Sequence, residues 1–269
     1  MRVRADPRRW IAELIGTFFL VLIGPGAAMV NAATDGAIGH AGVALAFAFV
    51  IVAMIYSVGH LSGAHLNPAV TLGFWSVKRF PAGEILPYVL AQCVGAALAS
   101  LALLAILGDV GSMGATVPSI STSRAFGLEW LLSFALMFVI MAVATDERVT
   151  SGFAAIAVGL TVGFCAMMGG PLTGASMNPA RSLGPALVGQ VWIAHWIYWV
   201  APITAAVIAA RLYDWLRPVR LHGNSGITGS KARSADHNGL SGIAGMLPNG
   251  RHPGVEKLVL AACPIVAKV

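Results

Sequence analysis

Two segments rich in turn-forming and polar residues interrupt the long apolar runs of this chain. They read SGAHLNPAV at residues 62–70 and TGASMNPAR at residues 173–181. Gly and Pro interrupt helices, so the backbone carbonyls just before Asn67 and Asn178 are expected to lack helical partners. Non-helical backbone within a membrane is tolerated where it is buried in protein or lines a water-filled cavity. The two segments therefore predict a site that hydrogen-bonds a file of water molecules.

The remaining chemically reactive residues do not form a catalytic or metal-binding set. The apolar runs contain no nucleophile–base pair and no metal-ligand spacing, and the acids within them are isolated. Cys93, Cys165 and Cys263 are too few and too scattered for a disulfide framework. The sequence therefore predicts no catalytic residue, no metal site and no cofactor, and it argues against an enzyme.

The composition places the chain in a membrane. Only 10% of its residues are charged, against about 25% in a soluble domain, and its mean hydropathy is +0.79. No basic stripe interleaved with aromatic residues occurs, which argues against a nucleic-acid partner. The arginines before Trp10 could belong to a signal peptide, but the run from Trp10 to Met29 is as long as a membrane span, contains Glu13 and is followed by further spans.

Six apolar runs approach the length of about 20 residues that a membrane-spanning helix needs. They are Trp10–Asn31, Ala41–Val58, Ile85–Leu107, Phe126–Ala144, Phe153–Met168 and Val191–Ala210. The basic segments at 2–9, 78–79 and 148, and the tail from Arg211, all fall on one side of the predicted membrane. By the positive-inside rule this side is cytoplasmic, so the sequence predicts a multi-pass protein of the cell membrane with both termini in the cytoplasm.

Each Asn-Pro-Ala motif also predicts the start of a short helix. Asparagine is a favoured N-cap, and proline is favoured at the first helical position. The runs that follow are about ten residues or about 15 Å long, which is half of the hydrocarbon thickness. The first motif follows span two and enters from the cytoplasm, whereas the second follows span five and enters from outside. We therefore expect two half-helices whose N-termini meet near the midplane.

The two halves of the chain repeat each other. A shift of 111 residues aligns the two motif segments, and Glu13 and Glu129 begin spans one and four in the similar contexts AELIGTFFLVL and LEWLLSFALMF. Because each half has three spans, the halves insert in opposite orientations, and such repeats place their site at the midplane on broken helices. The predicted fold is an all-α membrane protein with six transmembrane helices plus two re-entrant half-helices in an inverted three-helix repeat.

These motifs resemble those of the aquaporin (major intrinsic protein) family over roughly residues 9–216. The resemblance implies a homotetramer with one pore in each subunit, which water or small neutral solutes cross passively. It implies a cytoplasmic N-terminus at 1–8 and a channel domain at 9–216, with repeats at about 9–108 and about 126–216. The Gly-, Ser- and Asn-rich segment 217–269 is predicted to be a disordered cytoplasmic tail.

The resemblance also assigns roles to individual residues. The pore motifs are Asn67, Pro68, Ala69, Asn178, Pro179 and Ala180, and the two asparagines are expected to donate hydrogen bonds to passing water. A narrower filter on the outer side is expected at Phe47, Ala166, Ala175 and Arg181. Glu13 and Glu129 are expected to brace the re-entrant loops, since no chain of ionisable partners supports a proton relay. His60 and His65 lie at the predicted cytoplasmic entrance, where a hydrogen bond to the loop is favoured over gating.

The filter departs from that of the strict water channels of the family. They carry a histidine at the position of Ala166, whereas glycerol facilitators have a small residue there, but with Trp at the position of Phe47 and Asp at that of Ser182. Ala186, Tyr198 and Trp199 resemble the water-channel branch. We therefore expect a water-channel framework with an unusually open filter, unless Met167 or Met168 turns inward and closes it.

Three other readings remain open at this point. A glycerol, urea or ammonia facilitator would pass water only as a secondary permeant. A secondary transporter shares inverted repeats and broken helices, but it would need an ionisable coupling site at the midplane, where this chain has Asn67 and Asn178. A purely structural junction protein would show no osmotic permeability.

Overall fold

The computed structural model describes residues 6–145 and 151–217, and all regular structure within them is helical. The long helices and half-helices are α1 (Pro7–Ala33), α2 (Gly39–Ser62), α3 (Pro68–Ser76), α4 (Ile85–Leu107), α5 (Thr122–Ala144), α6 (Ser151–Thr173), α7 (Pro179–Gly189) and α8 (Ile197–Leu216). Short 3-10 turns at Ala82–Glu84 and Gly111–Gly114 precede and follow α4. Of the predicted tail 217–269, only Arg217 is among the described residues.

Six of these helices are the predicted transmembrane helices, and α3 and α7 are the two half-helices. Five helices are long and apolar enough to cross a membrane by length and composition, namely α1, α2, α4 with its preceding turn, α5 and α6 from Gly152. The sixth is α8, which has 20 residues and carries Arg211 and Asp214 within its last two turns. The predicted fold class is confirmed.

The sixth helix begins later than the sequence predicted. The apolar run starts at Val191, but residues 191–196 are not helical, with turns at 193–196, and α8 begins at Ile197. Ala194 has a left-handed φ of 50°, which no α-helix contains. An apolar run alone cannot separate a helix from an apolar connection that lies against the membrane, and this is why the predicted start was wrong.

The two halves interlock through their half-helices. In each half the two outer helices pack together, α1 on α4 and α5 on α8, while α2 and α6 pack across the halves. Each half-helix crosses to the other half, so that α3 packs on α8 and α7 packs on α4. Small residues allow these close contacts, since a Cβ atom at Gly95 would lie 2.3 Å from the Leu14 carbonyl oxygen of α1. This packing holds both half-helix N-termini in the centre of the bundle.

Both half-helices start as the motif predicts. The Asn67 side chain accepts a hydrogen bond from the backbone N–H of Ala69 at 2.9 Å. The Asn178 side chain accepts from the backbone N–H groups of Ala180 at 3.0 Å and Arg181 at 3.2 Å. The prolines that follow occupy the first helical turn, where a missing N–H leaves no bond unmade.

Candidate pore

The two asparagines hold the two re-entrant loops together. Asn67 Nδ2 donates to the carbonyl of Met177 at 2.8 Å, and Asn178 Nδ2 donates to the carbonyl of Leu66 at 2.8 Å. Each amide nitrogen carries two hydrogens, so each asparagine keeps a second N–H donor after this contact. Both side chains line the same internal cavity. The arrangement therefore places two N–H donors, one from each half, at the point where the half-helices meet.

The loops before the asparagines have a backbone that turns their carbonyls out of helical hydrogen bonding. Three residues in each loop have positive φ, at matching positions of the repeat: 90°, 46° and 50° at Gly63, Ala64 and Leu66, and 85°, 42° and 52° at Gly174, Ala175 and Met177. Non-glycine residues occupy this region at an energetic cost of about 1–3 kcal/mol each. Because the strain recurs in both loops, the surrounding structure must hold both in place.

Glu13 and Glu129 make the contacts that hold these loops. The Glu13 carboxylate accepts hydrogen bonds from the backbone N–H groups of His65 at 2.9 Å and Leu66 at 2.7 Å. The Glu129 carboxylate accepts from the backbone N–H groups of Ser176 and Met177, both at 2.9 Å. Both acids are completely buried. Their contacts are those that a loop-bracing role requires, since the loop N–H groups would otherwise have no partner.

Hydroxyl groups complete each brace in the same way. Ser62 Oγ donates to Glu13 at 2.7 Å, and Thr173 Oγ1 donates to Glu129 at 2.7 Å. The Tyr88 hydroxyl donates to the Ser62 carbonyl at 2.8 Å, and the Tyr198 hydroxyl donates to the Thr173 carbonyl at 2.7 Å. Neither tyrosine was predicted to make these contacts. The signal in the sequence was an aromatic hydroxyl within a long apolar run, and for Tyr198 also the resemblance to the water-channel branch.

Gln92 is a further residue that sequence reasoning missed. It is completely buried on α4, and its Nε2 lies 2.8 Å from Glu13 Oε2 and 3.1 Å from Thr71 Oγ1. The second half has no glutamine brace in the described residues; there, Ser182 contacts Thr116 at 2.8 Å and Ser176 at 2.5 Å. A polar amide within the apolar run Ile85–Leu107 was the available signal for Gln92.

The neighbours of His65 determine the tautomer of its imidazole ring. The Thr71 hydroxyl donates to the Asn67 carbonyl at 3.1 Å, so the 3.1 Å contact between Thr71 Oγ1 and His65 Nδ1 needs the hydrogen on His65. The neutral ring then keeps its second nitrogen, Nε2, as an acceptor. The ring packs on Phe74 at a centroid distance of 5.0 Å and lines the cavity. The predicted hydrogen bond to the loop is not seen among the described residues; the ring instead bonds Thr71 within the half-helix α3.

Arg181 lies beside Phe47 at the outer part of the cavity. Its guanidinium carbon is 5.1 Å from the centre of the Phe47 ring, and its Nη1 donates to the Gly114 carbonyl at 3.2 Å. Gly114 belongs to the connection between α4 and α5, not to the re-entrant loop that precedes Arg181. Arg181 is 5% exposed as a residue, and its Nε has no partner among the described residues.

Two cavities adjoin at the predicted filter. The inner cavity contains about 860 Å³ of space, including solvent at its mouth, and is lined by both asparagines, His65 and mostly apolar side chains. The outer cavity contains about 940 Å³, which likewise includes open solvent, and is lined in part by Asn31 and His40. The residues common to both are Phe47, Ala166 and Arg181, while Ala175 lines the inner cavity alone. The structure thus brings three of the four predicted filter residues to the boundary between the two cavities, and it places Ala175 on the wall of the inner cavity only.

Neither methionine next to Ala166 closes this boundary. Met167 and Met168 are 42% and 60% exposed, and neither lines either cavity. The Met167 carbonyl lies 2.8 Å from His40 Nε2, a contact that joins α6 to the start of α2. The space beside the Ala166 methyl group is therefore left unfilled by the two residues that could have filled it.

The described residues contain no cluster of three ligating side chains that could hold a metal ion.

Comparison with known proteins identifies the family to which the chain is similar. The sequence profile of the family described as "Major intrinsic protein" matches residues 2–213. Among similar proteins, Nodulin-26 of Glycine max is 43% identical over 78% of this chain and 78% of its own length. Aquaporin NIP1-1 of Oryza sativa is 43% identical over 77% of this chain and 73% of its own length.

Two further comparisons cover almost the whole length of the matched protein. Probable aquaporin AqpM of Archaeoglobus fulgidus is 46% identical over 78% of this chain and 96% of its own length. The structure also resembles the X-ray structure of the aquaglyceroporin from Plasmodium falciparum, with a TM-score of 0.71 and 28% identity over 78% of this chain and 96% of that one. This chain belongs to the major intrinsic protein (aquaporin) family and is a multi-pass membrane protein that acts as a passive channel, not as an enzyme.

Proposed function

We propose that the chain conducts water together with at least one small neutral solute of the size of ammonia, urea or glycerol. The observation that carries the proposal is the boundary between the two cavities, where Ala166 presents a methyl group beside Phe47 and Arg181. A histidine there would add a ring and two polar nitrogens to the narrowest part of the path. With alanine, and with Met167 and Met168 outside, that volume stays open to a solute larger than water.

The pore motifs fit the passage of neutral polar molecules. In this proposal, the free N–H donors of Asn67 and Asn178 hydrogen-bond each permeant as it passes the junction of the half-helices. The carbonyls of the strained loops offer acceptors along the same wall, and the rest of the wall is apolar. Glu13 and Glu129 support this role indirectly, because their carboxylates hold the loops in the conformation that presents those carbonyls.

Ions are excluded by charge and by dehydration. Each half-helix N-terminus carries about half a positive charge. At about 4 Å and an effective dielectric constant of about 20, it repels a cation by about 2 kcal/mol, and two helices repel it by about 4 kcal/mol. Arg181 adds a full positive charge at the filter. Loss of an ion's hydration shell adds several kcal/mol more, since a narrow apolar wall cannot replace it.

The assembly and placement of the chain follow from the same reading. The chain forms a homotetramer in the cell membrane, with one pore in each subunit and both termini in the cytoplasm. The channel domain occupies residues 9–216, with repeats at about 9–108 and 126–216. The distribution of basic residues supports the orientation, since Lys78, Arg79 and the chain from Arg211 onward fall on one side.

A second candidate is a facilitator that passes glycerol, urea or ammonia as its main permeant and water only secondarily. The small side chain of Ala166 favours it, as does the likeness to a structure whose title names an aquaglyceroporin. The two candidates differ in the ratio of solute flux to water flux, which one measurement on the same proteoliposomes gives.

The test is stopped-flow light scattering on proteoliposomes of the wild type and of Ala166→His. We expect wild-type vesicles to take up at least one of the three solutes well above the protein-free background. Ala166→His should lose most of that uptake and keep most of its water flux, because the ring fills the open part of the filter.

Ala166→Ser is the matched control, since it adds a polar group with little volume and should leave solute uptake nearly unchanged. Wild-type vesicles that exclude ammonia, urea and glycerol alike would show that the filter passes water alone. Equal uptake by the wild type and Ala166→His would show that the filter lies elsewhere.

A further inference from the structure

A separate cavity opens at the surface where α3 ends. It is an open depression of about 630 Å³, including open solvent, and it shares no lining residue with the two pore cavities. Its walls are Trp75, Lys78, Arg79, Phe80, Pro81 and Ala82. Two cations and an indole ring thus surround one opening, which the pore mechanism does not use.

The level of this cavity in the membrane follows from the length of α3. The half-helix begins at the junction of the two loops and has nine residues, so it rises about 14 Å. Half of the hydrocarbon core is about 15 Å thick. The end of α3 and the cavity beside it therefore lie at the boundary between hydrocarbon and headgroups.

A tight turn places the two cations side by side. After α3 the backbone N–H of Lys78 donates to the Trp75 carbonyl, and that of Arg79 donates to the Phe74 carbonyl, both at 2.9 Å. Lys78 has a left-handed φ of 60°, which reverses the chain direction at this point. Because the backbone of this turn is hydrogen-bonded, both side chains start from fixed positions at the rim of the cavity.

The charge at this rim is only partly neutralised. Arg79 Nη2 lies 3.3 Å from Asp214 Oδ1 of α8, and both side chains are substantially exposed. Exposed pairs of this kind are weak, so the guanidinium stays available to a second anion. Lys78 is exposed and forms no ion pair with another described residue. The rim of the cavity therefore carries more positive than negative charge.

The lining also has an apolar part that a simple anion would not use. The Trp75 side chain is 43% exposed, whereas Phe80 beneath it is 6% exposed. Tryptophan is enriched at this level of a membrane because its ring is apolar with one polar N–H. The combination of two cations with an exposed indole fits a ligand that has an anionic head and an apolar body.

We propose that this cavity binds one anionic phospholipid, with the phosphate between Lys78 and Arg79 and the glycerol and upper acyl chains against Trp75. Anionic headgroups attract basic residues at the membrane surface, and lipid is the amphiphile that is always present at this level. The site is independent of the permeation pathway, so it stands or falls separately from the proposed permeants.

Native mass spectrometry of the full chain from detergent tests the proposal. The protein is mixed with equal amounts of dioleoyl phosphatidylglycerol and dioleoyl phosphatidylcholine, and the retained lipid is counted. We expect the wild type to retain phosphatidylglycerol preferentially. Lys78→Gln should weaken its retention about fivefold, and Lys78→Gln with Arg79→Gln about twentyfold to thirtyfold, since each basic residue contributes a factor of about five.

Arg124→Gln is the matched control, because it removes one exposed positive charge at the start of α5, away from this cavity. It should retain phosphatidylglycerol as the wild type does. Equal retention by the wild type and the double variant would overturn the proposal, as would a wild type that does not prefer phosphatidylglycerol. Displacement of the lipid by millimolar inorganic phosphate would also overturn it, because the site would then bind phosphate without the lipid body.

Discussion

Arg181 and Val70 occupy equivalent positions in the two half-helices, and both line the inner cavity. Only Arg181 carries a charge, and only Arg181 reaches the outer cavity, where it lies against Phe47. Because a half-helix of this fold accommodates valine at the matching position, replacing the arginine should not prevent folding. Its charge is therefore assigned to selection rather than to stability.

Arg181→Val should raise proton permeability by at least about tenfold, since a full charge at about 4 Å contributes up to about 4 kcal/mol of repulsion at an effective dielectric constant of about 20. Decay of a pH gradient across proteoliposomes, read with an internal dye, measures this leak. Arg181→Lys keeps the charge and should stay close to the wild type. Unchanged proton leak in Arg181→Val, together with normal water flux, would remove Arg181 from the filter.

The contacts between helices depend on positions where no side chain fits. Gly95 on α4 lies against the Leu14 carbonyl of α1, where a Cβ atom would be 2.3 Å from the oxygen. The obstacle is backbone, which a rotamer change cannot relieve. Gly127 on α5 has open space around it instead. Alanine substitutions at these two positions therefore distinguish the effect of close helix packing from the general cost of glycine in a helix.

Gly95→Ala should lower stability by about 1–3 kcal/mol, because α1 and α4 must move apart to admit the methyl group. Gly127→Ala should be neutral or stabilising by up to about 1 kcal/mol, since alanine favours the helix. Thermal unfolding in one detergent measures both variants. A Gly95→Ala protein as stable as Gly127→Ala would show that the α1–α4 contact is looser than the structure has it.

The half-helices were predictable because their signals are local. Asn, Pro and Ala in succession specify a cap and a first turn within three residues, and the repeat of the motif gave the opposed arrangement. The start of α8 was not predictable, because residues 191–196 are as apolar as the helix that follows. Hydropathy does not record the turn at Ala194.

Some contacts around the loops could likewise be predicted from the sequence, and others could not. Glu13 and Glu129 were visible as isolated acids in apolar runs, and the structure places each against its loop. The partner of Arg181 could not be predicted, because it is the backbone carbonyl of Gly114. Every residue has a backbone carbonyl, so the sequence gives no sign of which one accepts the bond. Gln92 was visible as a polar residue in an apolar run, but its contacts with Glu13 and Thr71 depend on the packing of α4 against α1 and α3.

The molecule keeps its inverted symmetry at the centre and loses it toward the two openings. At the centre, the asparagine contacts, the acid braces and the tyrosine hydroxyls match pair by pair. Toward one opening, His65 presents an acceptor nitrogen where the second half has Ser176. Toward the other, Arg181 presents donors where the first half has Val70. The shared framework thus holds the loops, and in the proposed function the unmatched residues determine what each end of the path recognises.

The central claim is that one continuous path crosses the chain between Phe47, Ala166 and Arg181. Ala166→Trp tests it most directly, with Met168→Trp as a control two residues away on the exposed face of α6. Stopped-flow water flux in proteoliposomes should fall at least about tenfold for Ala166→Trp, because the indole fills the constriction, and should stay near the wild type for Met168→Trp. A folded Ala166→Trp protein that conducts water as the wild type does, or equal losses in both variants, would contradict the account.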